Sequence, residues 1–110
     1  MNATKILSLT AVAAVLRSGC CLKFNDLASG TTYPVGSTIS TGGKTVAVEQ
    51  FQWGNGTWSS SGYARVDAAI HAGGTGNELR ANNVNFNFQL GYPLSKITYK
   101  FADYGGNENI

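Results

Sequence analysis

Aromatic side chains close to turns are the first residues in this chain that could do chemistry. Trp53 and Trp58 flank the turn dipeptide Asn55-Gly56, and Tyr63 and Tyr92 follow in or near later loops. Exposed aromatic rings can stack on sugar rings, because sugar C–H groups pack against the negative face of the π system. These four aromatic residues are the candidate ligand-binding residues, and carbohydrate is the ligand class they favour. In the competing interpretation, the tryptophans close the ends of a hydrophobic core.

Oxygen-bearing side chains near turns suggest a calcium site. Calcium takes about six to eight oxygen ligands from carboxylates, amides and backbone carbonyls. Asn77 and Glu78 end a glycine-rich loop and Asp103 opens a later turn, so these three are the candidate metal ligands. The sequence has no Asp-x-Asp-x-Asp cluster, and solvated loop carboxylates are the alternative. Calcium is the only cofactor that the sequence suggests.

Residues suited to catalysis are few. His71 is the only histidine, and the carboxylates are too scattered to nominate a glycosidase pair. A zinc site would need more histidines or cysteines than the chain contains. The loop at 71–79 contains Gly-Gly-Thr-Gly, but it lacks the Gly-Lys-Ser/Thr ending of a phosphate-binding loop and precedes a strand pattern. The sequence therefore favours a protein that is not an enzyme.

The elements that would position these residues are β-strands, and the clearest of them covers residues 83–90. Apolar residues occupy positions 84, 86, 88 and 90, whereas Asn or Gln occupies positions 83, 85, 87 and 89. Alternation with a period of two predicts a strand with one face in a core and the other in water. The wet face would carry uncharged donors and acceptors, which suit sugar hydroxyls.

Further strand patterns are separated by Gly-rich turns and recur every 8–14 residues or so, a spacing typical of sandwiches and barrels. They cover residues 22–27, 31–35, 37–41, 44–51, 62–67 and 95–101. In the last of these, Ile97, Tyr99 and Phe101 share one face. The predicted fold is an all-β, antiparallel, jelly-roll-like β-sandwich.

The first twenty residues have the pattern of an export signal. Lys5 precedes an apolar and small-residue run at 6–16, which is too short for a helix that spans a bilayer. Two interpretations of the following residues stay open: cleavage after Cys20, or lipidation of Cys20 as in bacterial lipoproteins. The predicted organisation is a signal at 1–20 and one domain at 21–110, secreted or held at the cell surface. A retained signal is expected to form a detached helix.

The charge balance bears on the class of partner. The formal net charge is +2, but Lys5 and Arg17 lie in the predicted signal, so the remaining domain is close to neutral. Nucleic-acid binding needs a surplus of Lys and Arg on the surface. The sequence therefore argues against nucleic acid as a partner.

Four motifs carry a resemblance that covers roughly residues 22–110. They are Phe24-x-Asp26-Leu27-x-x-Gly30-Thr31-x-Tyr33-x-Val35-Gly36, Ala72-Gly73-Gly74-x-Gly76-Asn77-Glu78-Leu79, Asn82-Asn83-Val84-Asn85-Phe86 and Asp103-Tyr104-Gly105-Gly106-Asn107-x-Asn109. With these motifs the chain resembles a domain of unknown function in exported bacterial proteins, cyanobacterial ones among them. The resemblance implies a secreted, jelly-roll-like domain and transfers no site residues. Similar proteins continue beyond the Gly-Gly-Asn turn, which favours reading this sequence as a fragment.

Two hypotheses about function follow. The first is a non-catalytic binding module for carbohydrate or another extracellular polymer, which uses loop aromatics and the amide face. The second is a structural or assembly domain that associates with other chains through open sheet edges and takes no small ligand, because unpaired edges bind further strands.

Overall fold

The computed structural model describes residues 4–12, 21–68, 71–73 and 76–103, and within them all regular structure is β. The strands are β1 Thr4–Val12, β2 Cys21–Leu22, β3 Thr32–Pro34, β4 Thr38–Thr41, β5 Lys44–Gln52, β6 Trp58–Ser59, β7 Tyr63–Ala68, β8 Asn77–Asn82, β9 Val84–Gln89 and β10 Lys96–Asp103. The prediction of an all-β, antiparallel fold is thereby confirmed. The described residues include no helix long and apolar enough to cross a bilayer.

The strands form two antiparallel sheets. The first sheet has the order β10-β1-β8-β7-β3, with β2 paired to β1. The second sheet has the order β4-β5-β6, with β9 also paired to β5. The short strand β3 contains Pro34 and pairs with β7 alone among the described strands, which agrees with the edge position that this proline predicts.

Thr4–Val12 forms a strand inside the first sheet, where a retained signal was expected to form a detached helix. This strand, β1, pairs with β8 at residues 4–7 and with β10 at residues 5–12. Residues 6–12 of the apolar run therefore adopt extended backbone, and β10 joins the sheet through them. Residues 13–20, which include Cys20, lie outside the described part of the chain, and so do residues 104–110, which contain most of the motif that begins at Asp103.

One hydrophobic core receives side chains from both sheets. Buried apolar residues from the first sheet and the segment after β2 meet buried apolar residues of β4, β5 and β9. The cluster consists of Leu22, Phe24, Ile39, Val46, Val48, Ala64, Val66, Leu79, Ala81 and Val84. Phe86, Phe88 and Leu90 pack against it, so the predicted alternation is confirmed from Val84 onward, with the apolar positions inward and the amides at 85, 87 and 89 exposed; Asn83 is half-buried and precedes the strand.

A single residue carries the chain from the first sheet to the second. β8 ends at Asn82 and β9 begins at Val84, and Asn83 between them has a positive φ of 53°. Asparagine is one of the few residues that tolerates this left-handed conformation. Gly62 passes close by, and a Cβ at that position would overlap the carbonyl oxygens of Asn82 and Asn83. The crossing therefore requires a residue without a side chain at position 62.

Two local predictions are wrong. The pattern at 22–27 predicts a strand, but β2 ends at Leu22 and buried Phe24 has a positive φ of 56°. The loop predicted at 71–79 ends sooner, because Asn77 to Asn82 form β8. In both places tertiary contacts override the local pattern: Asn77 holds the 23–27 segment against the start of β8.

Asn77 makes these contacts with both its backbone and its side chain. Its N–H donates to the Lys23 carbonyl oxygen at 3.0 Å. Its side-chain amide donates to the carbonyl oxygens of Phe24 at 3.1 Å and Leu27 at 3.0 Å. Hydrogen bonds of this kind satisfy carbonyls that the turn would leave without strand partners.

Asn77→Ala should destabilise the fold by about 1–3 kcal/mol, because it removes both side-chain hydrogen bonds from a partly buried turn. The matched control is Asn85→Ala, which removes one exposed hydrogen bond to the Gln50 carbonyl and should cost about 0.5 kcal/mol or less. Urea unfolding of both variants measures the difference. Equal losses would contradict a tethering role for Asn77.

Candidate functional site

The outer face of the second sheet carries almost no charge. Because Ile39, Val46 and Val48 point into the core, their neighbours along β4 and β5 point outward. The strand register places Ser40, Thr45 and Gln89 in one row across the sheet, Thr38, Ala47 and Asn87 in the next, and Glu49 and Asn85 in the third. Glu49 is the one charged side chain in these three rows.

The exposed side chains of Asn85, Asn87 and Gln89, which we term the amide row, are held by hydrogen bonds. Gln89 Nε2 donates to Asn87 Oδ1 at 3.0 Å, and Asn87 Nδ2 donates to Glu49 Oε1 at 3.1 Å. Asn85 Nδ2 donates to the Gln50 carbonyl at 2.9 Å. Each amide has two N–H donors and an acceptor oxygen, so these bonds leave most of its capacity for a ligand.

Trp58 lies in β6, beyond the third row, where it pairs with Gln52 near the end of β5. Trp58 is 58% exposed, the most among the large apolar residues that the structure describes. Gln52 lies three positions after Glu49 in β5, a distance of about 10 Å. An exposed indole therefore lies beyond one end of the amide row, at the hairpin that joins β5 to β6.

Trp53 has a different environment. Its ring makes an edge-to-face contact with Phe51, with ring centroids 4.9 Å apart, and it is only partly exposed. The backbone N–H of Trp53 donates to the Thr57 carbonyl oxygen, and the backbone N–H of Gly56 donates to the Trp53 carbonyl oxygen, both at 2.8 Å. These bonds form the tight turn that Asn55-Gly56 predicts. Trp53 thus supports the hairpin and Phe51, while Trp58 is the tryptophan available to a ligand.

The structure does not bring the four candidate aromatic residues together. Tyr92 lies under Lys44, whose Nζ is 4.2 Å from the ring centroid, at the opposite end of β5 from the Trp58 pair. The eight residues between Lys44 and Gln52 span about 26 Å. Tyr63 is on the outer face of the first sheet, where it pairs with Pro34 and Asn82. A shared ligand site for all four would have to be very long and reach two sheets.

The three candidate metal ligands also lie apart. Asn77 and Glu78 are neighbours in β8, so their side chains leave opposite faces of the sheet. Asp103 is on β10, and Lys5 of β1 lies between it and Ala81, which puts about 10 Å between those two backbones. No group of three or more His, Cys, Asp or Glu side chains able to hold a metal occurs among the described residues.

Glu78 and His71 have structural contacts instead. Glu78 is fully buried, and its two carboxylate oxygens accept the backbone N–H groups of His71 at 3.0 Å and Ala72 at 2.5 Å. His71 Nδ1 lies 3.5 Å from Glu78 Oε1. Lys100 of β10 donates to the Gly73 carbonyl at 3.1 Å. The 71–73 segment is thereby fixed across the outer face of the first sheet.

An ion cluster on that outer face is the feature that the sequence analysis missed. Arg65 and Arg80 are direct cross-strand partners, and Asp67 lies one row further along. Asp67 Oδ1 is 3.2 Å from Arg65 Nε, and Asp67 Oδ2 is 2.8 Å from Arg80 Nη2. The sequence shows the alternation Arg65-Val66-Asp67, but it gives Arg80 no strand partner, because its pattern predicts a loop at 71–79 where β8 begins.

Asp26 joins the turn after β2 to the β4–β5 hairpin. The Thr41 hydroxyl donates to Asp26 Oδ1 at 2.5 Å, and Gly42 N–H donates to Oδ2 at 2.8 Å. Both hydrogen bonds favour the ionised carboxylate, so they lower the pKa of Asp26 below its ordinary value, the Thr41 bond having the larger effect.

Asp26 should make stability depend on pH in the acid range. Because its pKa is lower in the folded state, its contribution is complete above the ordinary carboxyl pKa of about 4 and is lost as the pH falls through the folded-state pKa. Asp26→Asn should therefore flatten the fall in unfolding midpoint below about pH 4. Thr41→Val, which removes one of the two hydrogen bonds to Asp26, should reduce the acid fall in unfolding midpoint in part. A variant Asp26→Asn that follows the wild type over the whole range would contradict this origin.

Comparison with known proteins adds no relative to these observations. No protein-family model matches the chain, and no curated protein or solved structure matches it significantly.

Proposed function

We propose that this protein is an exported, non-catalytic module, built as a jelly-roll-like β-sandwich, that binds a neutral carbohydrate chain along the outer face of its second sheet. The observation that carries the proposal is the exposed amide row on that face, with Trp58, more than half exposed, at the hairpin beyond its end. An exposed indole presents an apolar ring face on which the C–H groups of a sugar can pack.

The chemistry of the surface fits a polymer of hydroxyl groups. Sugar hydroxyls would bind the amide row and Glu49, and a sugar unit that extends past the end of β5 would stack on Trp58. Amides donate and accept, as hydroxyls do, so an amide surface can exchange hydrogen bonds with water for hydrogen bonds with a glycan. The near absence of charge on this face favours a neutral glycan over an acidic one.

Trp58→Ala should weaken binding to the preferred neutral glycan at least tenfold, equivalent to about 1.4 kcal/mol, and leave the unfolding midpoint close to that of the wild type. The full chain is first tested on an array of neutral polysaccharides, and the strongest ligand is then titrated against each variant. Trp53→Ala is the matched control: it should lower the unfolding midpoint, because it removes the contact with Phe51. Unchanged affinity in Trp58→Ala, or a folded sample that binds no neutral glycan, would contradict the proposal.

A second candidate function is assembly with another copy of the chain, and β10 is the observation that favours it. β10 pairs with β1 alone among the described strands, so no described strand covers its other edge. Ile97, Tyr99 and Phe101 lie on its core-side face and are all more than 40% exposed. Antiparallel pairing of two copies about Tyr99 would set Ile97 against Phe101 of the second copy and join both apolar strips on one face. Open edges with apolar faces are the usual sites of such pairing.

Tyr99→Glu should abolish concentration-dependent self-association, because it would place two negative charges opposite each other at the centre of that pairing. Tyr63→Glu, an equivalent change on the outer face, is the control and should leave association intact. Sedimentation analysis over a wide concentration range measures both. A wild-type chain that stays monomeric throughout would exclude assembly through β10.

A further inference from the structure

We infer that the outer face of the first sheet is a second binding surface, specific for a carboxylated polysaccharide, with Arg65 and Arg80 as the contacts to its carboxylates. This surface is separate from the one proposed for neutral glycan, since it lies on the other sheet. It is defined by Tyr63, Arg65, Arg80 and Asn82, and we term it the arginine face. The inference does not depend on the function proposed for Trp58.

The two arginines are held side by side at a cost. Like charges directly opposite each other on neighbouring strands repel, so the Arg65–Arg80 pair is unfavourable by itself. Asp67 compensates by approaching both guanidinium groups, at 3.2 Å and 2.8 Å. It does so through one nitrogen of each, and a guanidinium has five N–H donors. Arg80 Nε is buried and has no hydrogen-bond partner among the described residues.

Burial makes the surface positive although the charges nearly balance. The carboxylates of this face are enclosed: the Asp67 side chain is 11% exposed and that of Glu78 is fully buried. The Arg65 and Arg80 side chains are 45% and 30% exposed. Charges close to water and to an incoming ligand dominate the field that the ligand meets. An anion therefore encounters paired guanidinium groups, with the carboxylates screened behind them.

The neighbours of the arginines select the kind of anion. Tyr63 lies two residues before Arg65 on the same face and has an exposed ring, and its cross-strand partner Asn82 carries an amide. A guanidinium group matches a carboxylate with two parallel hydrogen bonds. A ring for stacking and an amide for hydroxyls, beside groups that match carboxylates, fit a chain of uronic acid sugars. A nucleic acid is a less suitable partner, because binding its many phosphates would require a larger basic surface than this chain provides.

Binding of the full chain to polygalacturonate and to its methyl-esterified form tests the inference, because the two polymers share a backbone and differ in charge. Polygalacturonate should bind and the ester should bind at least tenfold more weakly, and added salt should weaken polygalacturonate binding. Arg65→Gln should reduce affinity for polygalacturonate at least tenfold. Lys23→Gln is the matched control, since it removes one exposed positive charge elsewhere and should change affinity less than threefold.

Arg65→Gln leaves Arg80 paired with Asp67, so its unfolding midpoint should stay close to that of the wild type. Equal binding of the two polymers, or equal effects of Arg65→Gln and Lys23→Gln, would overturn the inference. So would binding of a sulfated polysaccharide or duplex DNA as tight as that of polygalacturonate, which indicates a general attraction to polyanions. Trp58→Ala should leave polygalacturonate binding unchanged, so failure at one surface is distinguishable from failure at the other.

Discussion

The crossing at Asn83 is the constraint on which the two faces depend. In β8 the buried apolar side chains have odd numbers, Leu79 and Ala81, whereas in β9 the first inward residue is Val84. One residue with positive φ turns the chain from one sheet into the other and changes which residues point inward. Had β8 continued into β9 as one strand, the amides at 85 and 87 would share a side with Leu79 and Ala81. The exposed amide row therefore exists because the chain changes sheets at this residue.

The strands that the sequence predicts well are those whose side chains obey a simple alternation. β9 places apolar residues on one face and polar residues on the other, and β5 buries Val46 and Val48 on one face with an exposed Glu49 on the other. β8 is different, because Glu78 and Leu79 are both buried, one on each side of the sheet. Its buried carboxylate is compensated by N–H groups of the 71–73 segment, and a pattern of hydrophobicity contains no information about that contact. Because the pattern does not predict β8, it also does not predict that Arg80 pairs with Arg65.

The candidate ligands were harder to place than the strands for a related reason. Nearness to a turn says that a side chain is close to the surface, but the direction in which it points depends on the pairing of its strand. Tyr63 is adjacent in sequence to the tryptophan hairpin and yet faces outward from the other sheet. Asn77 and Glu78 are consecutive and diverge for the same reason. Only register, which joins residues far apart in sequence, could have separated these residues into the groups that the structure forms.

The partners of the acidic side chains indicate which chemistry remains for ligands. In the described part of the chain, Asp26 accepts from Thr41 and Gly42, Glu49 from Asn87, and Glu78 from His71 and Ala72, while Asp67 lies between two arginines. These acceptors are already occupied within the fold. Donors with unused capacity remain on both sheets, amide N–H groups on one and guanidinium N–H groups on the other. Surfaces rich in donors match ligands rich in acceptor oxygens, and polysaccharides have such oxygens in every sugar unit. The difference between the faces is then one of charge: amides suit hydroxyl oxygens, and guanidinium groups suit carboxylates.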